Sequence, residues 1–246
     1  MKTLNLIEVT EFVEANIGVF HLRRAENIKR LNLNTILKRK NPYLFRAKNV
    51  STAQDLVKGL LDAHLSSQEE AIFGEFLETL AIFVCNKVFD GKKSSAEGID
   101  LEFTKESTLY IVSIKSGPNW GNSSQVKRMI ENFKKAKRIL QTSGAKQNIQ
   151  AINGCCYGID RQPNKGDYWK LCGQSFWEFI SENERLYLDI IEPLGHRAKE
   201  HNERFSLDYA RTINLFTQEF IRDFCTDGVI NWEKLVQFNS SKNPIS

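Results

Sequence analysis

Three residues with reactive chemistry stand near one another in the middle of this 246-residue chain: Asp100, Ser113 and Lys115. Asp100 lies in the run IDLEF and the other two in TLYIVSIKS, and the TKES between them suits a hairpin turn. Side chains alternate along a strand, so Ile99, Leu101 and Phe103 should share one face, with Asp100 and Glu102 on the other. In the second run Tyr110, Val112 and Ile114 share a face, and Ile111, Ser113 and Lys115 share the opposite one. Paired strands bring opposed side chains to about 5 Å, so one face can gather Asp100, Ser113 and Lys115, with Glu102 close by. A carboxylate there can bind Mg2+ through oxygen. An ammonium beside it can orient a water or meet the negative charge that develops on an attacked phosphate. Those are the parts that in-line phosphodiester hydrolysis needs. The same residues also suit a solvated contact across a hairpin.

The surrounding elements must hold that hairpin. Residues 4–16 have helical periodicity, and a short helix is expected through LNTILKR, followed by an extended stretch broken at NPY, 41–43. Ser51 with Gln54 reads as a capping box for a helix through TAQDLVKGLLDAHL. Ser66 or Ser67 then reads as the cap of a second helix, with a broad apolar stripe from Ile72 to Phe83. DGKKSSAEG reads as a loop. After the hairpin, GPNWGN is a glycine-bounded loop, and Asn122 or Ser123 can cap a basic helix running to about Thr142. QNIQAINGCCYG and YWKLCGQ read as a third and fourth strand, and Ser175 to about Phe238 as mostly helix. This order predicts an α/β fold, a small mixed sheet wrapped by helices with a helical C-terminal third. We expect one domain over 1–246: a helical, basic region at 1–65, an α/β core at 66–172 and a helical region at 173–246.

Composition narrows the class. No run approaches the eighteen or so apolar residues of a membrane span, and the acids within MKTLNLIEVTEFVEA argue against a signal peptide. Cys85, Cys155, Cys156, Cys172 and Cys225 include no CxxC pair, which fits buried free thiols in a reducing cytoplasm rather than a disulfide framework or zinc site. If the third strand forms, Cys155 and Cys156 face opposite sides of it. The four histidines suit structural or surface roles, His21 and His64 standing isolated. Net charge is only +4, but it is unevenly spread. From Arg23 to Lys48 nine cations face the single acid Glu26, and from Lys127 to Arg138 six face Glu131. Such density suits either a solvated helix face or a polyanionic partner.

The pattern of Asp100, about thirteen residues, then Ile114-Lys115 on a second strand followed by a helix resembles the PD-(D/E)XK nuclease superfamily. Within it, IKSGPNWGNSSQ resembles a loop of one group of type II restriction endonucleases. NPYLFRAKN, SSQEEAIFGEFLE, NGCCYG and YWKLCGQSFWEFIS extend the resemblance over about 40–182. It implies a restriction-endonuclease-like mixed central sheet flanked by helices. It also implies a Mg2+-dependent deoxyribonuclease that cuts double-stranded DNA at a short specific site, works as a homodimer, and is paired indirectly with a cognate methyltransferase. The family pattern assigns a metal-binding aspartate to Asp100, a metal-binding carbonyl to Ile114 and the lysine to Lys115. Its second acid would fall at Ser113, where this chain departs from the pattern. Glu78, matching a helix glutamate of the family, or Glu102 can supply the missing carboxylate, with Glu78 preferred. Ser113 can hold a metal-bound water.

The loop adds candidate DNA contacts. Asn119, Asn122 and Gln125 offer amides, Ser123 and Ser124 offer the N–H groups of a helix N-terminus, and Trp120 can plug the core or touch a sugar. Lys127 and Arg128 begin the basic helix, which would follow the phosphate backbone. With the second acid missing, a DNA-binding protein of the same fold with weakened cleavage remains open, as does a repair nuclease that reads DNA structure.

Overall fold

The computed structural model describes residues 2–142 and 147–242. The described residues fall into two compact units, one from Met1–Gly18 and Phe73–His196, the other from Val19–Ile72 and Arg197–Ser246.

The first unit holds the hairpin. Its sheet has five strands in the order β1 (Lys92–Lys93), β2 (Leu101–Lys105), β3 (Thr108–Lys115), β4 (Asn148–Cys155) and β5 (Trp169–Cys172). The first three run antiparallel and β3, β4 and β5 parallel, so the sheet is mixed, as the element order predicts. The hairpin register pairs Leu101 with Val112 and Phe103 with Tyr110. Its turn holds Glu106 and Ser107 at positive φ, 47° and 64°. One sheet face carries Phe103 and Tyr110, whose rings pack on each other and on Phe179 of α6 (Gln174–Ser181). The other carries Ile111, Ile149 and Ala151 beneath Met129, Phe133 and Ala136 of α5 (Ser123–Thr142), an i, i+4, i+7 stripe. Ile99 packs in this second cluster, not with Leu101 as alternation predicts. The reason is local: β2 begins only at Leu101, and Gly98 at φ 73° bends the chain just before it. Lys92 and Lys93, expected in a loop, pair with Glu102 and Leu101 as a short edge strand.

The helices also differ from the expected boundaries. α1 (Leu6–Lys29) continues well past residue 16, and α2 (Leu33–Arg39) is the short helix expected at LNTILKR. NPY does not break the chain but opens α3 (Pro42–Ala47): Asn41 accepts from the Tyr43 N–H at 3.0 Å, and Pro42 takes the first helical position, where a missing N–H costs nothing. α4 (Ala53–Phe89) is one helix of 37 residues, not two. Ser67 does not cap; its hydroxyl bonds back to the Ala63 carbonyl at 3.1 Å and the helix runs through. The capping box lies one residue later than expected, between Thr52 and Asp55.

In the second unit, α9 (Ala198–Phe224) and α10 (Trp232–Ser240) share a core with α2 and the first part of α4, including Ile36, Leu61, Phe216, Phe220 and Leu235. A hairpin of β6 (Cys225–Thr226) and β7 (Val229–Ile230) interrupts the helical C-terminal third. His21 is not isolated: it stacks on His201 with ring centroids 4.5 Å apart. Burial, then the charges of His201 and Arg24, lower its pKa to about 4. Two short turns, α7 (Leu186–Asp189) and α8 (Ile191–Leu194), complete the helices. No helix among the described residues is long and apolar enough to cross a membrane.

Candidate active site

The site forms where the antiparallel hairpin meets the parallel strands. Asp100 stands one residue before β2, its N–H bonded to the Val112 carbonyl at 2.8 Å. Its carboxylate then does what a continuing strand would do: Oδ2 accepts the Ile114 N–H at 2.6 Å. Asp100 therefore caps the end of the ladder rather than projecting from one face. The Ser113 hydroxyl lies 3.5 Å from the same Oδ2, and Ser113 is buried.

Lys115, the last residue of β3, turns its ammonium back over this corner. Nζ donates to the Ile114 carbonyl at 2.9 Å and stands 3.8 Å from Asp100 Oδ2. The two oxygens thus already share one cation. Asp100, Ser113, Ile114 and Lys115, separated in sequence by a turn, meet in one place. A carboxylate and a backbone carbonyl are both oxygen donors, the set that hard divalent cations prefer, so these residues fit such an ion as two of its ligands.

Glu78 and Glu102 have other partners in this structure. Glu78 of α4 pairs with Lys93 at 3.4 Å, and Glu102 accepts from the Ser94 hydroxyl. The register sets Glu102 beside Lys92 and Ile111, while Lys93 lies beside Leu101 on the opposite face. Among the described residues no three acids, histidines or cysteines gather as a ready-made metal cage. Glu78 does act on the end of β4: the Cys156 thiol is pushed up to about 12 by burial and then by the Glu78 carboxylate. The five cysteines are free, and burial also raises Cys85 and Cys155, so these thiols stay protonated.

The loop after Lys115 is anchored at several points. A Cβ on Gly117 would lie 2.2 Å from the Tyr157 ring, so a larger residue would have to push that exposed ring aside. Lys170 of β5 donates to the Pro118 carbonyl at 2.8 Å. The Trp120 indole N–H donates to Asn153 Oδ1 at 3.2 Å, and its ring faces Lys115 Nζ at 5.3 Å. Asn122 caps α5 in a reciprocal box: its Oδ1 accepts the Gln125 N–H at 3.1 Å, and Gln125 Oε1 accepts the Asn122 N–H at 2.9 Å. Asn122→Ala should cost about 1 kcal/mol, read as a lower urea midpoint. Asn119, Ser123, Ser124 and Lys127 are exposed. Arg128 and Lys135 pair with Glu97, and Lys134 pairs with Asp167. Asn153 and Lys170 carried no role in the sequence reading. The signal for Asn153 was a lone amide inside the apolar run AINGCC.

Over residues 7–202 the chain matches the model of the type II restriction endonuclease EcoO109I. It belongs to that family. No curated protein matches the chain. Family membership makes the protein a deoxyribonuclease, an endonuclease that cleaves DNA. The match reaches beyond the 40–182 that the sequence motifs suggested, at both ends. Members of type II families generally use a divalent metal, in keeping with the oxygen pair of Asp100 and Ile114.

Proposed function

We propose that the protein is a Mg2+-dependent endonuclease that hydrolyses double-stranded DNA at a short specific site, acting as a homodimer so that two equivalent centres cut the two antiparallel strands. One observation carries this reading: in a restriction-endonuclease chain, the Asp100 carboxylate and the Ile114 carbonyl converge under the Lys115 ammonium. Mg2+ bound there would lower the pKa of its water and offset charge on the scissile phosphate. Asp100 and the Ile114 carbonyl would hold the ion, and Glu78, released from Lys93, would add the second carboxylate that Ser113 lacks. Lys115 orients the attacking water by donating to it, and leaves its bond to the Ile114 carbonyl to do so. Ser113 holds a water beside Asp100. The products carry 5′-phosphates, as this chemistry implies.

The loop and α5 supply DNA contacts in this proposal. Asn119 and the first-turn N–H groups of Ser123 and Ser124, which a helix leaves unpaired, suit phosphate or base edges. Lys127, Lys137 and Arg138 carry no acidic partner among the described residues, unlike Arg128, Lys134 and Lys135. Lys137→Ala should therefore flatten the dependence of log K on log salt by roughly 0.9, whereas Lys135→Ala should change it less. Filter binding across a salt series measures both.

A digest of phage DNA with the purified protein and Mg2+ tests the function. Discrete bands are the expected result. A smear would point to a nuclease that reads DNA structure. Intact DNA with a mobility shift would point to a binder with weakened cleavage, a reading favoured by the serine at 113 and by the Glu78–Lys93 pair.

A further inference from the structure

We propose that Asn153 and Trp120 are positioning residues that hold the Lys115 ammonium over the metal-facing corner. The inference rests on the role given to Lys115 above. Asn153 is 1% exposed, in the middle strand of the sheet's parallel half. A buried amide must find partners, and these are specific. Its Nδ2 donates to the Ser113 carbonyl at 3.2 Å, and its Oδ1 accepts from the Trp120 indole at 3.2 Å, with the Cys155 thiol 3.9 Å away. The amide thus ties the loop tryptophan to the backbone of β3 two residues before Lys115.

The other side of the loop is fixed from the same rung. Lys170 is the ladder partner of Asn153 on β5, and it holds Pro118, two residues before Trp120. Between these anchors the indole has one orientation, with its ring toward Lys115 Nζ at 5.3 Å. Lysine has a flexible stem, and its head must donate to a water while remaining at the corner. An aromatic face attracts the ammonium without accepting its protons in fixed directions, so it holds the head in place and leaves its N–H groups for the Ile114 carbonyl or the water. Packing against the α5 cluster explains why Trp120 is half-buried. It does not explain why the indole N–H turns inward to an amide whose other end grips β3.

Single-turnover cleavage of a DNA fragment, with affinity measured separately by mobility shift, tests this on the full chain. Trp120→Leu should slow cleavage roughly 30- to 100-fold with affinity within about twofold. Trp120→Phe keeps a π-face without the N–H and should remain within about fivefold of wild type. Asn153→Ala should slow cleavage about tenfold in the wild type but no more than about twofold in the Trp120→Phe background, where no indole N–H is left to lose. A merely structural Asn153 would give the same factor in both backgrounds, and that result overturns the proposal. So does a wild-type rate in Trp120→Leu, or a Trp120→Phe variant as slow as Trp120→Leu. Should Trp120→Leu not fold by circular dichroism, the Asn153 and Phe cycle decides alone. Lys115→Ala separates the two levels: wild-type cleavage there would remove the role of Lys115 itself, whereas a dead Lys115→Ala beside an unaffected Trp120→Leu removes only the positioning.

Discussion

Lys115→Ala is expected to lower the cleavage rate about 1,000-fold or more while leaving DNA affinity within a few-fold of wild type, and Asp100→Asn is expected to do the same. That loss corresponds to about 4 kcal/mol of transition-state stabilisation. Asparagine is a better replacement at 100 than alanine, for a reason visible in the backbone. The Asp100 carboxylate is the acceptor for the Ile114 N–H at 2.6 Å, and Ile114 is buried. Alanine would leave that N–H unpaired at a cost of about 1–3 kcal/mol, mixing a folding defect into the kinetic one. Asparagine keeps a carbonyl oxygen for it and removes the charge. At 115 alanine is acceptable: the ion pair with Asp100 is partly solvated at 3.8 Å, and its loss should cost under about 1 kcal/mol. Rates from quenched time courses and affinities from mobility shifts without divalent metal would show both effects. Turnover near wild type in either variant would remove that residue from the chemistry.

The hairpin was legible because strand alternation has period two and IDLEF and TLYIVSIKS each keep it. That was enough to bring Asp100, Ser113 and Lys115 together. It was not enough to show that Asp100 works in the plane of the sheet, because where β2 starts depends on Gly98 and on a bond to Val112. The surroundings of Glu78 were hidden for a related reason. Lys93 sits in a stretch with no strand signature, and only pairing with β2 places it where α4 can reach it. At 66–67 the paired serines resemble a cap, yet with no glycine or proline nearby nothing compels the helix to stop, and Ser67 satisfies its hydroxyl on the preceding turn. Asn153 is the plainest limit: the indole and the carbonyl that its amide joins are each more than thirty residues away in sequence.

In the proposed site, one charge separates this chain from the pattern it resembles. With serine at 113, a single carboxylate faces a single ammonium, so the corner is neutral without metal. A second carboxylate at that position would grow from a buried Cβ whose hydroxyl now lies 3.5 Å from the first, and so would crowd it. Two carboxylates that close cannot both ionise cheaply unless a cation joins them.

Ser113→Glu should therefore lose about 1–3 kcal/mol of stability in EDTA, from like-charge repulsion and crowding in a buried position. In Mg2+ it should recover more than the wild type gains, because each added ligand charge tightens a hard-cation site, here by on the order of 10- to 100-fold. Binding to the folded state alone stabilises by RT ln(1 + [Mg2+]/Kd), so a 100-fold tighter site held well above both dissociation constants adds about 2.7 kcal/mol over the wild-type gain. Melting curves for both proteins over a Mg2+ series, repeated with Ser113→Gln, isolate the charge from the shape: glutamine repeats the crowding without the carboxylate. A Mg2+-induced rise in Tm that is the same for Ser113→Glu, Ser113→Gln and wild type would mean that position 113 does not reach the ion, leaving Glu78 as the acid that must leave Lys93 to complete the site.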